Sequence, residues 1–166
     1  MSTRFRKSFD MKRILLGVSM LVLAAGAASC GSSNASDATV KKVIFTPDAP
    51  EPIGPYSQGI LVGATLYCSG QIGIDPTTGE LVEGGIEAET DQVLQNLGAI
   101  LRAANMDYED VVMATLFLKD LDECSTVNQV YARYFDIAPP ARQTVEAGRI
   151  PGGASIEISL VAMKQG

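Results

Sequence analysis

The sequence predicts an α+β domain: a largely antiparallel or mixed β-sheet with two α-helices packed on one face. Three observations predict it. Apolar residues recur with helical spacing in two stretches, 86–104 and the segment after Asp120. Several short runs carry the composition and alternation of strands. Together these segments follow the order β-β-β-α-β-α-β-β.

"KKVIF" from Lys41 opens the domain as a short apolar strand, and "TPDAPEPIGPY" is too proline-rich for helix and reads as an extended loop. "SQGILVGATLYCSGQIGI" gives two strands turning at Gly63-Ala64, and "DPTTGEL" is a turn opened by Asp75-Pro76 and closed by Gly79. Over 86–104, Val93, Leu94, Leu97, Ile100, Leu101 and Ala104 make one apolar stripe. Glu87 and Glu89 in its first turn and Arg102 in its last suit the helix dipole, and Asn105 can take the left-handed position that ends it. "VVMATLFLKD" (111–120) is a near-continuous apolar strand of the central kind. Asp120 and Glu123 resemble a capping box for the second helix, whose apolar face is Val127, Val130, Tyr131 and Tyr134. "ARQTVEAGRI" and "SIEISLVAMK" supply the last two strands.

Side chains alternate along a strand. In the final one Ile156, Ile158, Leu160 and Ala162 form the core face, and Glu157, Ser159, Val161 and Met163 the other. That second face is half apolar, so a covering surface is expected, most economically another subunit.

The chain has 166 residues, which fits one domain with appendages. It contains no His, which excludes a histidine general base, a Ser-His-Asp triad and a His-ligated metal site. From residue 30 onward it carries 8 basic and 18 acidic side chains, a net charge of −10 that opposes binding to nucleic acid. The N-terminus is basic instead. "MKRILLGVSMLVLAAGAASCG" has Lys12 and Arg13, then an apolar run to Ser29 that falls short of the about 20 residues of a spanning helix. It reads as a signal peptide over 1–29, with Met11 an alternative start. "AASC" resembles a bacterial lipobox, in which Cys30 would be lipidated and anchored to a membrane, with 30–40 as a flexible tether and 41–166 as the globular domain. The alternative is an ordinary signal that ends near a cysteine. Cys68 and Cys124 are too far apart for a C-x-x-C site; Cys68 reads as a buried thiol, and a disulfide between the two stays open.

Two charges stand out. Arg142 begins a strand behind "APPA", sharing a face with Thr144 and Glu146, where its fork could grip a carboxylate in bidentate fashion. An ion pair with a neighbouring acid is the alternative. Glu157 interrupts an apolar strand, as a functional carboxylate or as a solvated or interface glutamate.

Four blocks in order then resemble the RidA/YjgF family of imine deaminases: "PEPIGPYSQGI", "CSGQIGIDPTTGEL", "VVMATLFLKDLDECSTVNQVYARYF" and "PPARQTVEAGRIPGGASIEI". The resemblance implies the family's chorismate-mutase-like fold and a homotrimer whose sheets pack into a central barrel, with active-site clefts between subunits. It implies hydrolysis of 2-imino acids or enamines, such as 2-iminopropanoate and 2-iminobutanoate, to 2-oxo acids and ammonia, without metal or organic cofactor. The residue matching Arg142 would bind the substrate carboxylate and the one matching Glu157 would serve the attacking water. Residues matching Tyr56, Ser69, Gly70, Asn128 and Thr144 would line the cleft. Gln143 departs from the smaller or apolar residue usual after the signature arginine, and so does the signal-like N-terminus. The latter points to the cell envelope, or to the cytoplasm if it is not processed. Two other activities stay open: a non-catalytic binding module for small carboxylates, and a ribonuclease, which the net charge of −10 disfavours.

Overall fold

A computed structural model describes residues 40–164. The signal-peptide and lipidation expectations, Cys30 included, lie outside the described residues, as does most of the tether. The six strands are β1 (Lys42–Ile44), β2 (Gly59–Val62), β3 (Thr65–Cys68), β4 (Val111–Leu118), β5 (Ala141–Glu146) and β6 (Ile156–Met163). The helices are α1 (Gly85–Ala103) and α2 (Cys124–Tyr131). Among the described residues no helix is long and apolar enough to cross a membrane.

The strands form one sheet in the order β1-β2-β3-β6-β4-β5. All neighbours are antiparallel except β4 and β5, which are parallel, so the sheet is mixed as expected. A parallel pair cannot be joined by a hairpin; α2 lies on the crossover between them. Gly63, at φ 59°, makes the β2–β3 turn at the expected place.

Both helices cover the sheet face formed by Ala114, Leu116 and Leu118 of β4 and Ile156, Ile158, Leu160 and Ala162 of β6, all buried. Val93, Leu94, Leu97, Ile100 and Leu101 of α1 and Val127 and Val130 of α2 meet them there. The other sheet face carries a cross-strand row, Val43–Ile60–Tyr67–Val161–Met113. Val43 and Tyr67 in that row are more than half exposed, at 58% and 52%. Val112 is the extra residue of a bulge between Val111 and Met113 and adds to this apolar surface.

Several local expectations are corrected. Glu89 is not a first-turn dipole residue: it is buried, and its carboxylate accepts from Ser155 N–H at 2.7 Å and Ser155 O–H at 2.8 Å. Asp120 does not open a capping box on α2. Its carboxylate accepts from Asp122 N–H at 2.9 Å and starts a 3-10 turn, Leu121–Glu123, that precedes the helix. The reciprocal box sits instead at Asp107 and Asp110, before β4. Asn105 does take the left-handed conformation, at φ 56°, just past α1. Tyr134 lies beyond the end of α2, where its hydroxyl donates to Asp91 Oδ1 at 2.8 Å. β5 stops at Glu146, short of the segment expected to extend to Ile150.

Candidate active site

One buried side chain ties down the proline-rich loop before β2. Gln58 Oε1 accepts from Thr46 N–H at 2.7 Å, and Nε2 lies within donating distance of the carbonyls of Thr46, Ala49 and Pro50, at 3.0, 3.1 and 2.9 Å. At the far end of the loop Tyr56 N–H donates to Gly54 O at 2.8 Å, and the Tyr56 hydroxyl accepts from Ile53 N–H at 3.3 Å. Ser69 joins this loop to the end of β3: its hydroxyl donates to Ser57 O at 2.6 Å and its N–H to Gln58 O at 3.0 Å. The chain beyond it is clipped to β6 by reciprocal bonds between Gln71 and Ile158, at 2.9 and 3.0 Å.

This clip sets Gly70 directly against Glu157. A Cβ built on Gly70 would lie 2.8 Å from Glu157 Cδ and closer still to Oε1, so only glycine leaves room for the carboxyl. Tyr56, Ser69, Gly70 and Glu157 thus line one cavity of about 330 Å³, with Ile53, Ile72, Ile74, Pro50 and Pro151 as apolar wall. Glu157 has no hydrogen-bond partner among the described residues, and partial burial raises its pKa above the ordinary glutamate value. A carboxylate so placed is poised to accept a proton from a water.

Arg142 belongs to a second cluster. β5 is an edge strand, and Arg142 is in register with Ala114, whose side chain points to the helices. Its Nη2 donates to Asn128 Oδ1 at 2.8 Å, and its Cζ lies 4.9 Å from the centre of the Tyr131 ring. Thr144 shares its face, half-buried, and Gln143 points to the opposite face, near Thr115 Oγ1 at 3.5 Å. Among the described residues Arg142 makes no ion pair; the one salt bridge is Arg133–Glu87 at 3.0 Å. The neighbouring-acid alternative for Arg142 is therefore not what the structure contains.

Within one chain the two clusters stay apart. Glu157 is in register with Phe117, on the sheet face away from the helices, whereas Arg142 is on the helix side. The structure gathers Tyr56, Ser69, Gly70 and Glu157 in one place and Asn128, Arg142 and Thr144 in another. Sequence reasoning missed Gln58, the apolar wall and the placement of the Tyr131 ring against Arg142. Cys68 and Cys124 are free thiols, Cys68 buried with its pKa pushed up to about 12 by desolvation.

Comparisons with known proteins extend this picture. The 2-iminobutanoate/2-iminopropanoate deaminase of Bos taurus is 47% identical over 125 residues, covering 75% of this chain and 91% of that protein. A RutC family protein of Saccharolobus solfataricus is 50% identical over 125 residues, covering 75% and 99%. Among solved structures, a Rid-family protein of unknown function from Yersinia pestis superposes with a TM-score of 0.74 at 46% identity, covering 75% of this chain and all of that one. E. coli TdcF with bound serine superposes with a TM-score of 0.73 at 36% identity, with the same coverage. The family described as Endoribonuclease L-PSP matches residues 46–164, and the chain belongs to that family, which takes in the RidA proteins its motifs resemble.

Proposed function

We propose that the protein is a deaminase that hydrolyses 2-imino acids such as 2-iminopropanoate and 2-iminobutanoate, at sites shared between protomers of a trimer. The observation that carries the reading is the Glu157 carboxyl: partner-free, half-buried beside an apolar wall, and seated on a backbone position that only glycine leaves open. Arg142 supports it from the other cluster, as a guanidinium held by neutral groups with its charge uncancelled. Relatives at 45–47% identity bear the name 2-iminobutanoate/2-iminopropanoate deaminase. Trimers are typical of the family, and the uncovered apolar sheet face suits such an assembly. A neighbouring protomer would bring its Arg142 and Asn128 to the Glu157 cavity.

The chemistry needs little else. Arg142 binds the substrate carboxylate and so fixes the adjacent C=N carbon, and orientation of this kind lowers barriers by several kcal/mol, up to about 7–11 in the best cases. Glu157 takes a proton from a water as its oxygen bonds to that carbon and passes it to the imine nitrogen, giving a tetrahedral carbinolamine. Glu157 then takes the hydroxyl proton as the C=O bond forms and the C–N bond breaks. That second proton goes to the departing nitrogen, and ammonia and the 2-oxo acid leave. The imine and water supply all the atoms of both products.

Ammonia release from 2-iminopropanoate, generated in the assay by an amino-acid oxidase, tests this. The purified protein should accelerate it, and Arg142→Ala should abolish the acceleration while the oligomer persists. Full activity in that variant would refute the assignment. For the N-terminus the lipobox-like "AASC" supports removal of residues 1–29 and lipidation of Cys30, with the domain anchored at the bacterial envelope. Mass spectrometry of the mature N-terminus checks it; an unmodified Met1 or Met11 would contradict it.

A further inference from the structure

Arg142 stands on an aromatic column. The Tyr131 ring beneath its guanidinium stacks on Phe135 with centroids 4.4 Å apart. Phe135 meets the edge of Tyr108 at 5.3 Å, and Tyr108 O–H donates to Leu94 O of α1 at 2.5 Å. Tyr131 and Phe135 are buried, so the column is part of the core. Arg142 is exposed on an edge strand, where a long side chain would otherwise sample many rotamers.

The choice of partners matters for recognition. A guanidinium offers five N–H donors. Asn128 takes one, and an aromatic face attracts the cation through its quadrupole without occupying the fork. A carboxylate partner would hold the side chain as firmly, but would cancel its charge and fill its donors. The Tyr131 hydroxyl adds nothing to the grip: it is buried with no hydrogen-bond partner. Burial pushes its pKa up to about 12, so it stays neutral beneath the cation.

We infer that Tyr131 is a positioning residue for substrate recognition, its ring face orienting Arg142 so that the free edge of the fork receives the substrate carboxylate. This rests on Arg142 being the carboxylate anchor.

Two ligands and a set of variants test it. Calorimetry measures binding of 2-oxobutanoate and of its uncharged amide, beside KM for 2-iminobutanoate. Tyr131→Phe should keep both affinities, since the ring face survives. Tyr131→Leu should weaken 2-oxobutanoate binding and raise KM by roughly two- to thirty-fold, the range of a cation–π contact, and leave amide binding unchanged. A folded Tyr131→Leu variant with wild-type affinity for 2-oxobutanoate would overturn the inference. So would a Tyr131→Phe variant as weak as Tyr131→Leu, because the hydroxyl would then be the acting group. If Tyr131→Leu does not fold, phenylalanines of rising fluorine content in place of Tyr131 drain the ring face at near-constant shape. Affinity should fall with each step, and a flat series would overturn the inference. Arg142→Ala separates the two readings: if it binds 2-oxobutanoate normally, the anchor assignment itself fails; if it does not while Tyr131→Leu does, only the role of Tyr131 fails.

Discussion

Gly70 faces the Glu157 carboxyl with no room for a Cβ between them, and each residue makes its own prediction. Gly70→Ala forces the Glu157 carboxyl out of its place, so turnover should fall about 10²-fold or more, the scale of a lost general base, with the fold retained. For Glu157→Gln the sign follows from burial. A carboxyl whose folded pKa is raised binds its proton more tightly folded than unfolded, so it lowers stability as pH rises from the ordinary glutamate value through the raised one. In a dissociated, monomeric background, where no neighbour's Arg142 reaches the cavity, melting temperatures with and without Glu157→Gln should therefore agree below that window and diverge above it, with the variant higher. Equal melting curves at every pH in that background would contradict a desolvated Glu157. Both charged residues were legible in the sequence: Glu157 interrupted an apolar strand, and Arg142 opened a strand behind two prolines. Tyr131 was legible only as core: helical spacing reports which face is buried, not that a cation rests on the ring. Glu89 left a readable sign, an acid four residues before Val93 in the apolar stripe of α1, but dipole reasoning assigned it to the first turn.

At the scale of elements, two polar anchors hold the cavity walls. Gln58 fixes the loop that carries Ile53 and Tyr56, and Glu89 fixes Ser155 at the entry to β6, two residues before Glu157. Gln58→Leu leaves Thr46 N–H and loop carbonyls without partners. A loss of about 1–3 kcal/mol for each group left buried and unpaired should appear as a lower urea midpoint, with faster hydrogen exchange at Ile53 and Tyr56. Wild-type stability would mean that the loop is held by something else. Helices and strands were legible wherever a stripe or alternation persisted, as in α1 and β6. The start of α2 was not. Asp120 and Glu123 have capping-box spacing, but Glu146 Oε2 accepts from Leu121 N–H at 3.3 Å and Asp120 serves Asp122, so the segment tightens into a 3-10 turn. That partner is 25 residues away in sequence, beyond any local pattern. The parallel pairing of β5 with β4 was hidden for the same reason, since strand order depends on tertiary contacts.

At the scale of the whole molecule, the row Val43–Ile60–Tyr67–Val161–Met113 leaves apolar side chains in water on an isolated chain. Its half-apolar alternation was readable in β6 alone, and the expectation of a covering subunit came from it. Val161→Lys at the centre of that row should give a folded monomer by sedimentation and lose turnover with the assembly. An active monomer would place the whole site in one chain. The endoribonuclease description of the family is a different activity, and the net charge of −10 from residue 30 onward works against it. The most direct measurement is subunit complementation. Arg142→Ala and Glu157→Gln proteins, each inactive alone, are unfolded together at equal concentration, refolded and assayed for imine hydrolysis. If each site takes its guanidinium from one protomer and its carboxylate from the next, random assortment around a closed ring restores about one quarter of wild-type activity. Mixed oligomers that form and remain inactive would contradict a site shared between protomers.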